Sequence, residues 1–193
     1  METFISKIPA TAARMYIKTA PVTAGATVMG QNIITIQDMV GKMVVAGPPD
    51  HRLADRKHIG PVDFVDERQV AIPATVTERT KLDEVFLAHR IQRRINIETQ
   101  ISYAAIKLVE AGAGVAIIDP LTACGYREGR VRFIPFFPDV ASEYSIVVSA
   151  RHASTLVLKP FIDLAREEIR RLLPKAWTLK ENPQKKRPPA TAP

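Results

Sequence analysis

Residues 97–120 read IETQISYAAIKLVEAGAGVAIIDP and hold a complete strand, helix, strand unit. Ile95 and Ile97 alternate with polar neighbours over residues 94–99, the period of a half-buried strand. Ile101, Ala104, Ala105, Leu108 and Val109 then recur at the spacing of one helical face, and Gly112 falls where a left-handed carboxyl-terminal cap is wanted. Val115, Ala116, Ile117 and Ile118 form a continuous apolar run that suits a parallel strand covered on both faces, and Asp119-Pro120 stops it. A right-handed crossover makes the two strands parallel. In open sheets of this kind ligands bind beyond the carboxyl ends of the strands, where helix amino ends present unpaired amides to anions. That edge contains Thr99, Gln100, Ile101, Ser102, Asp119 and Pro120. The alternative for Thr99 and Ser102 is that their hydroxyls only cap the helix.

Working outward, residues 42–46 read as a short buried strand centred on Val44 and broken by Gly47-Pro48-Pro49-Asp50. Residues 51–66 read as a loop with a helical turn near Pro61 to Phe64, and residues 70–73 as another apolar strand. A polar loop over residues 74–79 follows. Thr80 is the expected cap of a helix that carries Asp83 and Glu84 in its first turn and reaches His89. Strand and helix thus alternate through Ile118, which indicates an α/β fold with a largely parallel sheet. Residues 131–137 and 144–149 give two further strands. Leu158, Phe161, Ile162, Ala165, Ile169 and Leu172 then mark an amphipathic helix that tolerates Pro160 in its first turn and ends before Pro174. Residues 1–35 show no sustained period and are expected to be weakly structured.

The 193 residues are 46% hydrophobic, enough for the core of an ordinary globular protein. No apolar run reaches the roughly 20 residues of a membrane span, and the first 20 residues lack a secretory layout, so a cytoplasmic protein without membrane contact is expected. The net charge of +7 invites a nucleic-acid reading, but more than half of it lies after Pro174, where Lys175, Lys180, Lys185, Lys186 and Arg187 face one acid, Glu181. Residues 174–193 are rich in proline and are expected to form a disordered basic tail, with binding of nucleic acid as its alternative role.

Catalytic and cofactor motifs are missing. Gly112-Ala113-Gly114 follows a helix and opens a strand, the reverse of a dinucleotide loop. The sequence has no phosphate loop and no nucleophile elbow, and His51, His58, His89 and His152 lack metal-ligand spacing. Cys124, the one cysteine, falls in an expected loop and reads as an ordinary packed or loop thiol. Arg90, Arg93 and Arg94, like Arg127, Arg130 and Arg132, read as solvated edges, with an anionic ligand or a subunit interface as the alternative. No enzyme activity, cofactor or metal is expected.

The order of motifs resembles the effector-binding domain of LysR-type transcriptional regulators. Residues 44–54 are similar to that family's strand and Pro-x-x-His-x-Leu-Ala turn, here Pro48, His51, Leu53 and Ala54. Residues 69–73 with 79–86, and the unit 97–120, complete the likeness, which spans residues 36–173; the wording of 98–120 is most like members that sense basic amino acids or opines. The resemblance implies a periplasmic-binding-protein-like α/β effector domain whose two subdomains close on a small anionic metabolite. It implies homo-oligomerisation, and contact with DNA only through an amino-terminal helix-turn-helix domain.

On that pattern residues 66–144 form an intact subdomain two, and residues 36–65 with 145–173 the remnant of an incomplete subdomain one. No helix-turn-helix can be read before Ile36, so an amino-terminally truncated regulator is expected. The implied effector contacts are Thr75, Val76 and Thr77, the helix start Thr99, Gln100, Ile101 and Ser102, and the strand end Asp119-Pro120. A stand-alone solute-binding protein of similar fold is the alternative.

Overall fold

The computed structural model describes residues 16–19, 33–149 and 156–179. Eight strands among these residues fall into two sheets: β1 (Tyr16–Thr19), β2 (Ile33–Lys42), β3 (Val44–Gly47), β4 (Arg68–Ala71), β5 (Arg94–Glu98), β6 (Val115–Ile118), β7 (Arg132–Pro135) and β8 (Ala141–Ser149). Among the described residues four helices accompany them: α1 (Thr77–Ala88), α2 (Ser102–Glu110), α3 (Pro120–Gly125) and α4 (Leu158–Leu172). The larger sheet has five strands in the order β5-β4-β6-β3-β7, and the smaller has three in the order β1-β8-β2.

The five-stranded sheet is covered on both sides because its central strands β3, β4 and β6 are buried on both faces. Val45, Val115, Ile117 and Ile134 point to one side and pack with Leu53, Ile59, Phe64, Leu82 and Phe86 under α1 and the 3-10 turn Pro61–Phe64. Val44, Ala46, Val70, Ala116 and Ile118 point to the other and meet Ala105, Ile106 and Val109 of α2 and Ala123 of α3. The β4 strand is parallel to both β5 and β6, as expected for the crossovers, whereas β3 runs antiparallel to β6 and β7. The sheet is therefore mixed.

The helix at the centre of the sequence argument forms where expected. Gly112 has φ +84°, and the amides of Gly112 and Ala113 donate to the carbonyls of Val109 and Leu108, so the left-handed cap closes α2 in a Schellman pattern. Gly114, at φ +131°, lies so close to the Arg68 carbonyl that any side chain would collide with β4.

Several expectations are corrected. Val44–Gly47, assigned from sequence to the subdomain-one remnant over residues 36–65, pairs with Ile118 and Pro135 inside the five-stranded sheet, so that remnant boundary cuts through the sheet of the other lobe. Residues 1–35 are not uniformly irregular, since Tyr16–Thr19 pairs with β8 and β2 begins at Ile33; the rest of that segment lies outside the described residues. Helix α1 starts at Thr77, within the stretch expected to be a polar loop, and Cys124 lies in α3 rather than a loop. The tail expected to be disordered from residue 174 begins with a 3-10 turn, Lys175–Trp177. The Leu179 amide then donates to the Val40 carbonyl, and the Trp177 ring meets Phe133 edge-on at 6.5 Å. Residues 180–193 lie outside the described residues.

Helix α4 covers the smaller sheet through Ile162, which packs with Ile146 of β8. The long strands β2 and β8 pair in antiparallel fashion from Ile33 opposite Ser149 to Lys42 opposite Ala141 and thereby join the two sheets.

Candidate functional site

In the strand order β5-β4-β6, the chain leaves β4 to one side to make β5 and returns to the other side to make β6. The helices that follow these strands, α1, α2 and α3, all begin at the same carboxyl-end edge. A crevice at such a reversal is where open α/β sheets bind ligands. The Thr99 amide donates to the Ala71 carbonyl at 2.9 Å, which ties the end of β5 to the end of β4 and sets the α1 and α2 starts side by side.

Neither α1 nor α2 has a side-chain cap. Their cap positions are Val76 and Ile101, whose side chains accept no hydrogen bond. Thr99 and Ser102, expected as possible caps, do not fill that role: the Thr99 Oγ1 accepts from the Ile101 amide at 3.3 Å, one residue short of the helix. The first-turn amides of α2 thus face the edge without a side-chain acceptor, the arrangement that favours an anion, whereas at α1 the Glu78 amide is met by its own carboxylate.

The sequence-selected residues do converge on this edge, in different states. Thr75, Gln100 and Ile101 are exposed, and Val76, Thr77, Thr99 and Ser102 are half-buried. Asp119 and Pro120 are buried and committed to the fold. Asp119 caps α3, its carboxylate accepting from the Thr122 amide and hydroxyl at 2.8 Å each and from the Tyr144 hydroxyl at 3.1 Å. Pro120 lies against Gly41 of β2 so closely that a Cβ there would strike the ring. Asp119 and Pro120 therefore form the floor where the crossing strands β2 and β8 meet the larger sheet.

Three groups at this edge were not singled out by sequence. Tyr144 is 3% exposed and its hydroxyl also accepts from the Leu121 amide at 3.2 Å; burial and the neighbouring Asp119 charge push its phenol far up, so it acts as a neutral donor. Glu78, in the first turn of α1, is 3% exposed, and its Oε2 has no hydrogen-bond partner. Burial pushes the Glu78 carboxyl up, its own backbone amide and Lys81 pull it down, and Glu143 and Asp119 push it up again. Arg79 is also buried; its guanidinium donates to the Ile72 carbonyl, Asp83 and Glu98, each at 2.8 Å. A first-turn Glu next to a β-strand is a sequence signal for helix start, but nothing local marks it as buried.

The other candidates separate. Asp83 lies in the second turn of α1 and holds Arg79 and Arg93, so it does not serve the helix amino end. Arg93 is not a solvated edge residue, since its side chain is 6% exposed, bonds Gln69 and Asp83, and stacks 4.9 Å from the centre of the Phe86 ring. Arg127, Arg130 and Arg132 are exposed, His58 and His89 are exposed, and His51 is half-buried against Glu67 at 3.2 Å. Burial pushes the Cys124 thiol up, away from nucleophilic character. Among the described residues no group of His, Cys, Asp and Glu is arranged to hold a metal ion, and no helix is long and apolar enough to cross a membrane.

The architecture and the edge agree with a family match. The model of the LysR substrate binding domain matches residues 32–170. This chain belongs to the LysR substrate-binding domain family. Among curated relatives, the transcriptional activator LysR of Escherichia coli is 30% identical over 114 residues, covering 59% of this chain and 37% of that protein. The octopine catabolism/uptake operon regulatory protein OccR of Rhizobium meliloti is 33% identical over 118 residues, covering 61% of this chain and 39% of that protein. The chain thus spans well under half of these relatives' length. Among solved structures, the regulatory domain of Synechocystis CcmR in complex with 2-PG superimposes with a TM-score of 0.59 at 15% identity, over 80% of this chain and 73% of that one. The relatives are transcriptional regulators, and the fold is that of LysR-family regulatory domains, a periplasmic-binding-protein-like α/β architecture.

Proposed function

We propose that this chain is the effector-sensing portion of a LysR-type transcriptional regulator and holds a small carboxylate metabolite of amino-acid or opine type at the α1 and α2 starts. The observation that carries this reading is the pair of helices without side-chain caps brought together by the Thr99–Ala71 hydrogen bond. Backbone amides around residues 75–77 and 99–102, with the hydroxyls of Thr75, Thr99 and Ser102, hold the carboxylate. Asp119 and Pro120 shape the floor. The module binds rather than catalyses, uses no cofactor, and works as a homo-oligomer in the cytoplasm. The relation to OccR, an octopine catabolism/uptake operon regulatory protein at 33% identity, supports the opine class.

Effector binding biases a two-state arrangement of the oligomer and so the grip of the regulator's DNA-binding part. Strands β2 and β8 link the two sheets and pass the effector floor at Gly41 and Tyr144, so a ligand that presses on the floor bears on the joint itself. Isothermal titration with octopine, nopaline, lysine and arginine tests the reading. Saturable one-site binding of at least one of them is expected; absence of heat with all four, at concentrations up to millimolar, counts against it.

A further inference from the structure

The least satisfied group at this edge is an acid, which a site for a simple anion does not explain. Glu78 is almost completely buried, yet its Oε2 meets no donor among the described residues. Burying a carboxylate without a partner is costly, and the cost is relieved by protonation or by the arrival of a cation or a hydrogen-bond donor. The side chain sits in the first turn of α1, at the end of β4, and the adjacent charges are mostly of its own sign: Asp119 at the end of β6 and Glu143 on β8, with Lys81 one turn further along α1. The Lys81 ammonium lies 3.8 Å from the Glu143 carboxylate, and no hydrogen bond joins it to Glu78. Asp119 is occupied by Thr122 and Tyr144. The edge therefore pairs uncapped backbone amides at α2 with a buried carboxylate at α1 whose Oε2 has no partner.

Resting on the carboxylate-binding reading above, we propose that Glu78 receives a cationic nitrogen of the effector, an ammonium or guanidinium, and makes this protein selective for zwitterionic or cationic amino-acid-like effectors over plain carboxylates. The effector's carboxylate faces the α2 start while its N–H groups supply the donor that Glu78 Oε2 lacks. Glu78 is thus a specificity-determining residue.

The test compares the unaltered protein with Glu78→Gln, using L-lysine, L-arginine and hexanoate as probes in titration calorimetry and thermal unfolding. The amide keeps the shape and removes the charge. L-lysine or L-arginine is expected to bind the unaltered protein at least tenfold more tightly than hexanoate, and Glu78→Gln is expected to erase that preference, with hexanoate binding no more weakly than before. Without ligand, Glu78→Gln is expected to raise the unfolding midpoint, because an uncompensated buried charge is gone. Equal binding of hexanoate and the two amino acids overturns this inference and leaves the carboxylate reading standing; no binding of any of the three probes overturns this inference, and the carboxylate reading falls with it when octopine and nopaline also fail to bind. A lowered midpoint in ligand-free Glu78→Gln also overturns it, since the carboxylate would then serve the fold.

Discussion

The Tyr144 hydroxyl donates to the Asp119 carboxylate at 3.1 Å and accepts from the Leu121 amide at 3.2 Å, so one phenol on the returning strand β8 clamps the start of α3. This clamp is the polar connection between the strand pair that joins the two sheets and the floor of the candidate site. Tyr144→Phe removes it with almost no change of volume. The Leu121 amide is then left without its partner, and Asp119 keeps only Thr122. A loss of about 1–3 kcal/mol is expected, measured by urea unfolding. An unchanged midpoint would show that water replaces the phenol.

Gly41 is required by contact, not by backbone angle. A side chain there meets the Pro120 ring and lies near the Tyr144 ring. Gly41→Ala forces β2 away from the floor, at about 1–3 kcal/mol, the usual range for overpacking. The same substitution at Gly125, which has open space around it, is the control and is expected to change stability by less than about 0.5 kcal/mol.

Arg93 joins α1 to the sheet. Its Nε donates to Gln69 Oε1 at 2.9 Å and its Nη1 to Asp83 Oδ1 at 2.7 Å, while the guanidinium lies over Phe86. Arg93→Ala takes the donor from the buried Gln69 Oε1, on a side chain whose Nε2 already lacks a partner, and is expected to cost about 3 kcal/mol. Arg93→Lys recovers only part of this, because an ammonium cannot make the fork and the stack together. Full recovery by lysine in chemical denaturation contradicts the geometry.

The raised Glu78 carboxyl sets a pH dependence with a definite sign. Burial lifts its folded-state value above the ordinary 4.5, so in the window above 4.5 the folded protein binds more protons than the unfolded chain. Stability from this group is complete below 4.5 and is lost as pH rises through the folded value. The stability of Glu78→Gln minus that of the unaltered protein is therefore expected to grow with pH across that window and then level off. A flat difference between acid and neutral pH would place Glu78 in water.

What sequence reveals here follows the range of each interaction. Helix α2 and strand β6 were readable because their determinants are local: a helical face at Ala105 and Val109, the left-handed Gly112, and a four-residue apolar run closed by Asp119-Pro120. The start of α1 was misplaced because its cap position, Val76, gives no capping signal, whereas Thr80 followed by Asp83 imitates one a turn later. Strand β3 was assigned to the wrong lobe because its partners, Ala116 and Phe133, lie about 70 and 87 residues further along the chain from Ala46. The edge at Thr99 to Ser102 could be placed from topology alone. Glu78, Tyr144 and Arg93 could not be, because a polar side chain is buried only where distant elements enclose it, and a hydrophilic stretch carries no trace of that enclosure.

The central claim is that the effector occupies the shared edge of α1 and α2, and amide chemical-shift mapping tests it most directly. Isotope-labelled protein titrated with octopine is expected to show its largest backbone shifts at residues 75–78 and 99–102, with smaller ones at Asp119 and Leu121. Shifts confined to the opposite groove between α3 and the end of α4, lined by Cys124, Arg127, Arg171 and Trp177, would contradict it.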